Sequence, residues 1–184
     1  VKKLSENLIS PINRDGDLKP AILKDGNVIL PNGFFKAYNS IAEGGWIGIS
    51  GDTKYGGLGL PLIITTCVNE LLSSACLSLA LNPLMTQGQI DAIETHANED
   101  IKKIFLPKLN SGEWSGTMNL TEPQAGSDVG ALRTIAKKEK DGTYNISGQK
   151  IYISWGDHSL SSNICHLVLA RLPDSPKGTK GISL

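Results

Sequence analysis

The spacing of the apolar residues changes near Trp114, and this change limits the fold more than any other feature of the chain. Before Trp114, apolar side chains recur at helical intervals, and the segment from Leu62 to Leu81, apolar or small on every side, predicts a buried helix. After Trp114, short runs rich in β-branched residues alternate with Gly or Asp-Gly turns and predict antiparallel strands. These runs span residues 115–121, 131–140, 143–154 and 164–171. The sequence therefore predicts an α+β fold, in which an all-α bundle precedes an antiparallel β domain.

Local signals predict the remaining helix boundaries. Residues 83–97 predict a second helix, and Asn98 predicts the N-cap of a third, because its side chain can accept a hydrogen bond from the first helical turn. Pro107 is expected to break that third helix, since proline has no amide hydrogen to donate. Residues 1–33 carry scattered Pro and Gly, which predict a helix end followed by an irregular connection or a small hairpin.

Composition argues against several classes of function. The 184 residues carry 18 basic and 18 acidic side chains, and this balance is not that of a nucleic-acid-binding surface. Neither a secretory leader nor a transmembrane segment is expected from the distribution of charged and apolar residues. The chain is long enough to bury a core, and its composition is typical of a globular protein of one or two domains.

The positions of cysteine and histidine argue against a metal site. Cys67, Cys76 and Cys165 are odd in number and lack the spacing of metal ligands, so we expect reduced, buried thiols in a cytoplasmic protein. The three histidines, at positions 96, 158 and 166, are equally scattered. The same scatter leaves a Ser-His-Asp hydrolase without partners for its nucleophile.

The run from Met118 to Asp128, MNLTEPQAGSD, joins the end of an apolar strand to a proline, a glycine and two hydroxyl residues. Gly126 lets the main chain approach a ligand more closely than a residue with a Cβ would. Thr121 and Ser127 can exchange hydrogen bonds with carbonyl, ring-nitrogen or phosphate atoms. Such a loop can wrap a flat polar cofactor, although the same residues also form plain surface turns.

This run resembles the first flavin-binding segment of the acyl-CoA dehydrogenase family, in which a strand ends in Thr-Glu-Pro, followed by a small residue, Gly, Ser and Asp. Further along the chain, GQKIYISWG, from Gly148 to Gly156, resembles the second flavin-binding segment of the same family. By position, Tyr152 takes the aromatic place of that segment, Ile153 the apolar place and Ser154 the hydroxyl place. Two matches in the expected order strengthen the resemblance.

Two passages before Trp114 resemble the amino-terminal domain of the same family. Residues 45–60 contain Gly-Trp-Ile-Gly and Tyr-Gly-Gly-Leu-Gly-Leu, and residues 99–113 end in Leu-Pro-Lys-Leu-Asn-Ser-Gly-Glu. The resemblance implies an N-terminal helical domain over residues 1–114 and a middle β-domain, an incomplete antiparallel β-barrel, over residues 115–184. It also implies that the C-terminal helical domain of the family is absent, so that the chain is expected to be a fragment.

The resemblance implies a flavoprotein that binds FAD and oxidises an acyl-CoA thioester to the trans-2-enoyl thioester, with removal of the α-proton and transfer of the β-hydrogen as hydride to the flavin. The implied FAD-binding residues are Met118, Asn119, Leu120, Thr121, Gly126, Ser127, Tyr152, Ile153 and Ser154. Ser127 is also implied on the substrate side. The implied partners are the acyl-CoA substrate, an electron-transfer flavoprotein that accepts the electrons, and further copies of the chain in a homo-oligomer.

No residue of this chain is expected to be the catalytic base, because the base of the family is a Glu on a later helical domain. Glu70 is expected in a packed helix and Glu122 in the flavin loop, so neither is assigned that role. The chain departs from the common pattern at Tyr152, where Trp is more usual, at Trp155, where a small polar residue is commoner, and at Gln124, which replaces a frequent Gly. Because Trp155 is larger than the usual residue, the shape of the ligand pocket that the family has next to this position is left open.

Three functions remain open from the sequence. The first is an acyl-CoA dehydrogenase, and the shared segments are nearest in wording to a bacterial subgroup that includes enzymes acting on 3-methylmercaptopropionyl-CoA. The second keeps the fold but passes the electrons to oxygen, as acyl-CoA oxidases do. The third is a non-catalytic interaction module that retains the scaffold and has lost the cofactor.

Overall fold

A computed structural model describes all 184 residues, which divide into two compact units. Unit 1 comprises Val1–Thr117 and Trp155–Cys165, and unit 2 comprises Met118–Ser154 and His166–Leu184. Helices precede most of the strands along the chain, so the predicted α+β class is confirmed. The domain limits predicted from the sequence stay a prediction, because a domain is defined by its capacity to fold alone.

Helices make up most of unit 1. The chain begins with a continuous helical segment of three parts, α1 (Lys2–Leu4), a π-helical turn (Ser5–Ile9) and α2 (Ser10–Leu18). The later helices are α3 (Phe34–Glu43), α4 (Leu62–His96) and α5 (Glu99–Ser111). Their apolar faces meet in one core, which includes the fully buried side chains Ile9, Tyr38, Ile41, Ile47, Leu72, Leu79, Leu106 and Leu109.

A short antiparallel hairpin of β1 (Ile22–Lys24) and β2 (Asn27–Ile29) connects α2 to α3. The two residues at its tip, Asp25 and Gly26, both have positive φ, 51° and 77°. Positive φ at both central residues is what a type I′ hairpin turn requires, and Asp-Gly is a favoured pair for it. Of the two alternatives predicted for residues 1–33, the hairpin is therefore confirmed.

Helix α4 consists of two helical stretches that meet at a kink at Cys76, so the two predicted helices are present but meet at Cys76 and not before Pro83. The only non-helical residue in it is Cys76, with φ −160° and ψ 94°, and the helix continues through Pro83. Just before Cys76, the Ser74 hydroxyl donates a 3.1 Å hydrogen bond to the Leu71 carbonyl. A serine that bonds to the preceding turn competes with the helical ladder, so the change of direction falls in this serine-rich stretch instead of at the proline.

Helix α5 begins as predicted and ends later than predicted. The Asn98 side chain accepts a 2.9 Å hydrogen bond from the amide of Ile101, which confirms the N-cap. The helix then runs through Pro107 to Ser111, so the predicted break at Pro107 is wrong. Leu106 and Leu109, on either side of the proline, are both fully buried, and their burial outweighs the hydrogen bond that proline cannot donate.

The segment from Trp155 to Cys165 is held against the helices of unit 1 by polar contacts. The Trp155 indole donates to the carbonyl of Ser78 at 2.8 Å. His158, which is buried, accepts a 3.0 Å hydrogen bond at Nδ1 from the amide of Leu160, and its Nε2 lies 2.9 Å from the Ser115 hydroxyl. With Nδ1 accepting, a neutral ring carries its proton on Nε2, which faces both the Ser115 hydroxyl and, at 3.2 Å, the side-chain amide of Asn82. His158 therefore has a structural role, as expected of a histidine without metal-ligand neighbours.

Helix α4 is the one helix of the chain that is long and apolar enough to cross a membrane. This criterion rests on length and composition alone, and core helices of soluble proteins also meet it. Val68, Leu72, Leu79 and Ile90 of α4 belong to the buried core of unit 1, but Leu62, Ile63 and Leu77 are exposed, so the predicted burial on every side is wrong. The Cys67 thiol is also exposed, contrary to the prediction of buried thiols. One such helix is weak evidence for a membrane span.

The β-strands after Trp114 form two small sheets. The strands are β3 (Trp114–Asn119), β4 (Ile135–Lys138), β5 (Tyr144–Ser147), β6 (Asn163–Val168), β7 (Ala170–Arg171) and β8 (Ile182–Ser183). β3 pairs with β6, and the other four form an open sheet in the order β5-β4-β7-β8. The predicted runs 131–140 and 143–154 each contain a shorter strand, whereas β3 begins one residue before the run 115–121. The run 164–171 divides into β6, which begins one residue earlier, and β7.

Two details of the predicted β domain are wrong. The pairing of β4 with β7 is parallel, so the open sheet is mixed and not purely antiparallel. The predicted strand 143–154 ends at Ser147, because Gly148 has φ 156° and Tyr152 has φ 58°, values outside the β region for an L-residue. The sheet does not close into a barrel, which agrees with the expectation of an incomplete one.

The N-cap of α5 offers a direct test of this part of the fold. Replacing Asn98 with Ala removes the acceptor for the Ile101 amide, and we expect the free energy of unfolding to fall by about 1 kcal/mol. Asn98→Asp keeps an acceptor at the same place and is the matched control, with an expected change near zero. Urea unfolding followed by circular dichroism measures both variants. Equal stability of wild type and Asn98→Ala would contradict the capping role.

Candidate functional site

The residues of the first predicted segment, residues 118–128, begin at the end of strand β3. Met118 and Asn119 are the last two residues of that strand, and Leu120 and Thr121 continue beyond it. Strand geometry turns successive side chains to opposite faces, and Met118 is the more exposed of the strand residues here, at 38%. The main chain of Asn119 accepts a 3.1 Å hydrogen bond from the amide of Leu169, which fixes the strand end within unit 2.

A tight turn follows Thr121. The amide of Glu122 donates to the Ala125 carbonyl at 2.8 Å, and the amide of Ala125 donates to the Glu122 carbonyl at 3.0 Å. Pro123 lies within this reciprocal pair, where its fixed φ suits a turn. The turn delivers the chain to Gly126 and Ser127, both of which are exposed. The four-residue turn 122–125 thus places Gly126 and Ser127, two of the predicted FAD-binding residues, at the surface.

Gly126 is not required by the packing of the chain. It has no positive φ, and a Cβ placed there would meet only the Thr121 methyl carbon, at the ordinary contact distance of 3.6 Å. Gly148 differs, because its φ is positive and a Cβ there would overlap Thr134. The fold therefore accounts for the glycine at 148, whereas the glycine at 126 leaves open space for an external group to approach the main chain.

The Glu122 side chain is buried beneath the turn as a carboxylate. Burial alone would raise the pKa of Glu122, but hydrogen bonds from the Thr134 hydroxyl, the Arg133 amide and Lys150 outweigh it and hold the pKa well below its ordinary range. A carboxylate with so low a pKa is a weak base, and its oxygens already accept several hydrogen bonds, so it is poorly placed to remove a substrate proton. The expectation that Glu122 is not the base is consistent with this environment.

Residues 148–154, the part of the second predicted segment that belongs to unit 2, have no regular secondary structure. Tyr152 has φ 58° and is 89% exposed, which is unusual for a large aromatic residue in the left-handed region. Ile153 is half-buried and Ser154 is exposed. The segment thus presents an aromatic ring and a hydroxyl two residues apart to the surface of unit 2.

The two segments meet at their backbones. The amide of Ile151 donates a 2.9 Å hydrogen bond to the Thr121 carbonyl, and Lys150 Nζ donates to the Leu120 carbonyl at 2.9 Å. Tyr152 follows Ile151 directly, so the exposed ring begins one residue from this junction. Two stretches that are far apart in the sequence are therefore adjacent in unit 2. The two stretches are joined by contacts of residues 120–122. Gly126 and Ser127 follow these residues after the turn.

Together, the exposed groups suit a ligand that is flat, extended and polar at its edges. An aromatic ring and the Met118 thioether offer apolar contact. The hydroxyl residues Thr121, Ser127 and Ser154 can donate or accept hydrogen bonds, and the main chain at Gly126 is open to close approach. These are the groups that a flavin with a diphosphate tail would need. No group of His, Cys, Asp and Glu residues suited to a metal ion is present.

Sequence reasoning missed the residues that hold this arrangement in place. Lys150, Thr134 and Arg133 bind the Glu122 carboxylate, although none of them was assigned a role from the sequence. The only indication of this arrangement in the sequence was the presence of Lys150 within the second motif. A lysine in a loop is ordinarily solvated, whereas the side chain of Lys150 is only 9% exposed.

Known protein families match both halves of the chain. Residues 25–113 match "Acyl-CoA dehydrogenase, N-terminal domain", and residues 117–184 match "Acyl-CoA dehydrogenase, middle domain". The chain is 48% identical over 177 residues to 3-methylmercaptopropionyl-CoA dehydrogenase of Ruegeria pomeroyi, covering 96% of this chain and 30% of that protein. The chain spans about 30% of the length of this relative and of others that it matches.

Solved structures agree with these matches. An acyl-CoA dehydrogenase from Geobacillus kaustophilus superposes with a TM-score of 0.81 at 27% identity, over 100% of this chain and 44% of that one. An acyl-CoA dehydrogenase from Bacillus anthracis, solved in complex with FAD, shares the fold with a TM-score of 0.75 at 24% identity, over 93% of this chain and 27% of that one. With both of its halves matched to one family, and with that fold, the chain belongs to the acyl-CoA dehydrogenase family.

Proposed function

We propose that the protein containing this chain is an FAD-dependent acyl-CoA dehydrogenase, which oxidises an acyl-CoA thioester to the trans-2-enoyl thioester. The chain contributes a helical part, residues 1–114, and part of a β-domain, residues 115–184. The residues proposed to hold FAD are Met118, Asn119, Leu120, Thr121, Gly126, Ser127, Tyr152, Ile153 and Ser154. The catalytic base lies outside this chain in the proposal, since Glu122 is already engaged by four neighbouring residues.

The observation that carries the proposal is the meeting of the two segments at Thr121 and Ile151, whose main chains are joined by a 2.9 Å hydrogen bond. Either motif alone is weak, because turns are commonly made of Pro, Gly, Ser and Asp. Here the two flavin-binding motifs are also neighbours in space, and they lie beside a glycine with open space and an exposed aromatic ring. This arrangement supports the binding of one ligand by both motifs. Family membership supports FAD as that ligand.

In this proposal each residue has a role that follows from its environment. The exposed ring of Tyr152 and the side chain of Met118 pack against the flavin ring. Hydroxyls of Thr121 and Ser154 orient its polar edge, while the main chain at Gly126 approaches the diphosphate closely. Ser127 also reaches the substrate side. Bound FAD would supply the acceptor for the hydride, and the residues of this chain bind and orient the reacting groups.

The proposed substrate is 3-methylmercaptopropionyl-CoA or a close analogue. The relative that is named for this substrate is 48% identical over nearly the whole chain, and another relative, at 40%, is named a butyryl-CoA dehydrogenase. Both names describe a short acyl group on coenzyme A. We further propose, from membership of the family, a homo-oligomer that passes its electrons to an electron-transfer flavoprotein.

The proposed reaction can be followed through the colour of the flavin. In the protein as encoded, with any residues before and after these 184, we expect FAD to copurify. Anaerobic addition of 3-methylmercaptopropionyl-CoA should bleach the visible flavin absorbance, because a two-electron transfer reduces the oxidised ring system. Butyryl-CoA, added at the same concentration, tests the selectivity for the acyl group.

Two other outcomes would contradict the proposal. A colourless protein that takes up no FAD would favour an interaction module. Bleaching followed by rapid recovery in air, with stoichiometric peroxide and no transfer to an electron-transfer flavoprotein, would favour an acyl-CoA oxidase.

The role of Tyr152 has its own test. Tyr152→Ala should raise the Kd for FAD about tenfold, since stacking of a heterocycle on an aromatic side chain contributes about 1–3 kcal/mol. The melting temperature should change little, because the ring is 89% exposed. Tyr152→Phe should keep the wild-type Kd. Fluorescence titration of the apoprotein with FAD measures the three Kd values.

Tyr144→Ala is the matched control for that test. Tyr144 lies on strand β5 of the same unit, and it is also exposed, at 47%, but it belongs to neither segment. We expect the Tyr144→Ala variant to bind FAD with the Kd of wild type. A tenfold rise for Tyr144→Ala, or no rise for Tyr152→Ala, would remove Tyr152 from the proposed site.

A further inference from the structure

We propose that Glu122 and Lys150 form a buried ion pair that positions the two FAD-binding segments relative to each other. This inference rests on the proposed function, and it assigns a positioning role to two residues that the FAD site itself does not include. Their contact joins Lys150 Nζ to Glu122 Oε1 at 2.9 Å, with side chains that are 9% and 3% exposed.

The Glu122 carboxylate accepts hydrogen bonds on both of its oxygens. Oε1 accepts from the Thr134 amide at 3.0 Å, from the Thr134 hydroxyl at 2.6 Å and from Lys150. Oε2 accepts from the Arg133 amide at 2.6 Å and from the Gln124 side-chain amide at 2.7 Å. Five donors thus converge on one carboxylate, and they come from three separate stretches of chain. A carboxylate held in this way has one orientation, because any rotation would break several charge-assisted hydrogen bonds.

Lys150 connects this carboxylate to the main chain of the first segment. Besides Glu122, its ammonium donates to the carbonyl of Leu120 at 2.9 Å. The next residue, Ile151, donates its amide to the carbonyl of Thr121. The second segment is therefore attached at three consecutive residues of the first, at Leu120, Thr121 and Glu122. This attachment fixes the position of the main chain immediately before Tyr152.

Glu122 also fixes the turn that presents Gly126 and Ser127. Its main chain is bonded in both directions to Ala125, and its carboxylate binds the Gln124 side chain within the same turn. A change in the orientation of Glu122 would therefore shift the turn and the segment that follows it. The Glu122 side chain thus fixes both the turn that precedes Gly126 and, through Lys150, the main chain that precedes Tyr152.

Burial makes the two partners depend on each other. Removing one side chain would leave an unpaired charge inside unit 2, and an uncompensated buried charge is far less stable than a solvated one. Lys108 and Glu113 in unit 1 make an ion pair of the same length, 2.9 Å, but their side chains are 40% and 51% exposed. Exposed pairs contribute little. The Lys108–Glu113 pair is therefore the matched control for the buried one.

The experiment compares FAD affinity in the complete protein for Lys150→Met, Lys150→Arg, Thr134→Val and the control Lys108→Met. Lys150→Met should raise the Kd for FAD at least about tenfold, the size of effect seen when a residue that supports a binding site from behind is removed. Lys150→Arg keeps the charge and should restore most of the affinity. Lys108→Met should bind FAD as wild type does. All Kd values are measured at a temperature at which circular dichroism shows every variant to be folded.

Thr134→Val keeps the inference testable if Lys150→Met does not fold. This nearly isosteric change removes only the hydroxyl that donates to Glu122 at 2.6 Å and leaves the ion pair intact. We expect a smaller rise in Kd, about threefold. A lower melting temperature with an unchanged Kd in the folded Lys150→Met and Thr134→Val variants would mean a purely structural role and would overturn the inference. If all variants bind FAD like wild type, the inference fails while the proposed function stands. If wild type itself binds no FAD, both fail together.

Discussion

The organisation of unit 2 depends on one buried charge. Glu122 is ionised in an environment that by itself disfavours ionisation, and the neighbouring donors compensate for the water that it has lost. Because its pKa is depressed in the folded protein, its contribution to stability is complete above the unfolded pKa near 4.5. This contribution is lost as the pH falls below that value. At neutral pH the carboxylate is therefore a fixed point, to which the turn at 122–125, the start of β4 and Lys150 are all attached.

In unit 1 the burial of apolar side chains outweighs local sequence signals. Pro107 and Pro83 would end a helix that stood alone, since each removes a hydrogen bond and costs about 3 kcal/mol. Both lie inside helices here. Each fully buried leucine or isoleucine side chain contributes about 1.5–3 kcal/mol, and the helices around Pro107 and Pro83 contain several, among them Leu79, Leu106 and Leu109. Continuing the helix is favourable because stopping it would expose this face.

The sequence predicted those features that depend on neighbouring residues. Asn98 as an N-cap and the order of helices before most strands follow from local chemistry, and the structure agrees with them. The small hairpin was one of two alternatives predicted for residues 1–33, and the structure selects it. Features that depend on distant partners were predicted less well. The continuation of α4 through Pro83 and the parallel pairing of β4 with β7 are set by contacts that no short window of sequence contains.

The same distinction separates the exposed part of the candidate site from the part that supports it. Tyr152, Gly126 and Ser127 could be proposed as ligand-binding residues from the sequence because they belong to motifs, and motifs are local. Lys150 and Thr134 could not be identified, because their role exists only where three stretches of chain meet around Glu122.

The strain at Tyr152 explains why such support is needed. An aromatic residue at φ 58° costs about 1–3 kcal/mol, and its ring, 89% exposed, recovers almost none of that cost through packing within the chain. Breaking a buried ion pair costs about 3–5 kcal/mol, which exceeds the strain. The Lys150–Glu122 pair and the Ile151–Thr121 hydrogen bond immediately precede Tyr152, so they can hold it in a conformation that the residue would not adopt by itself. A strained, exposed aromatic residue beside a rigid buried support agrees with the proposed contact between Tyr152 and FAD.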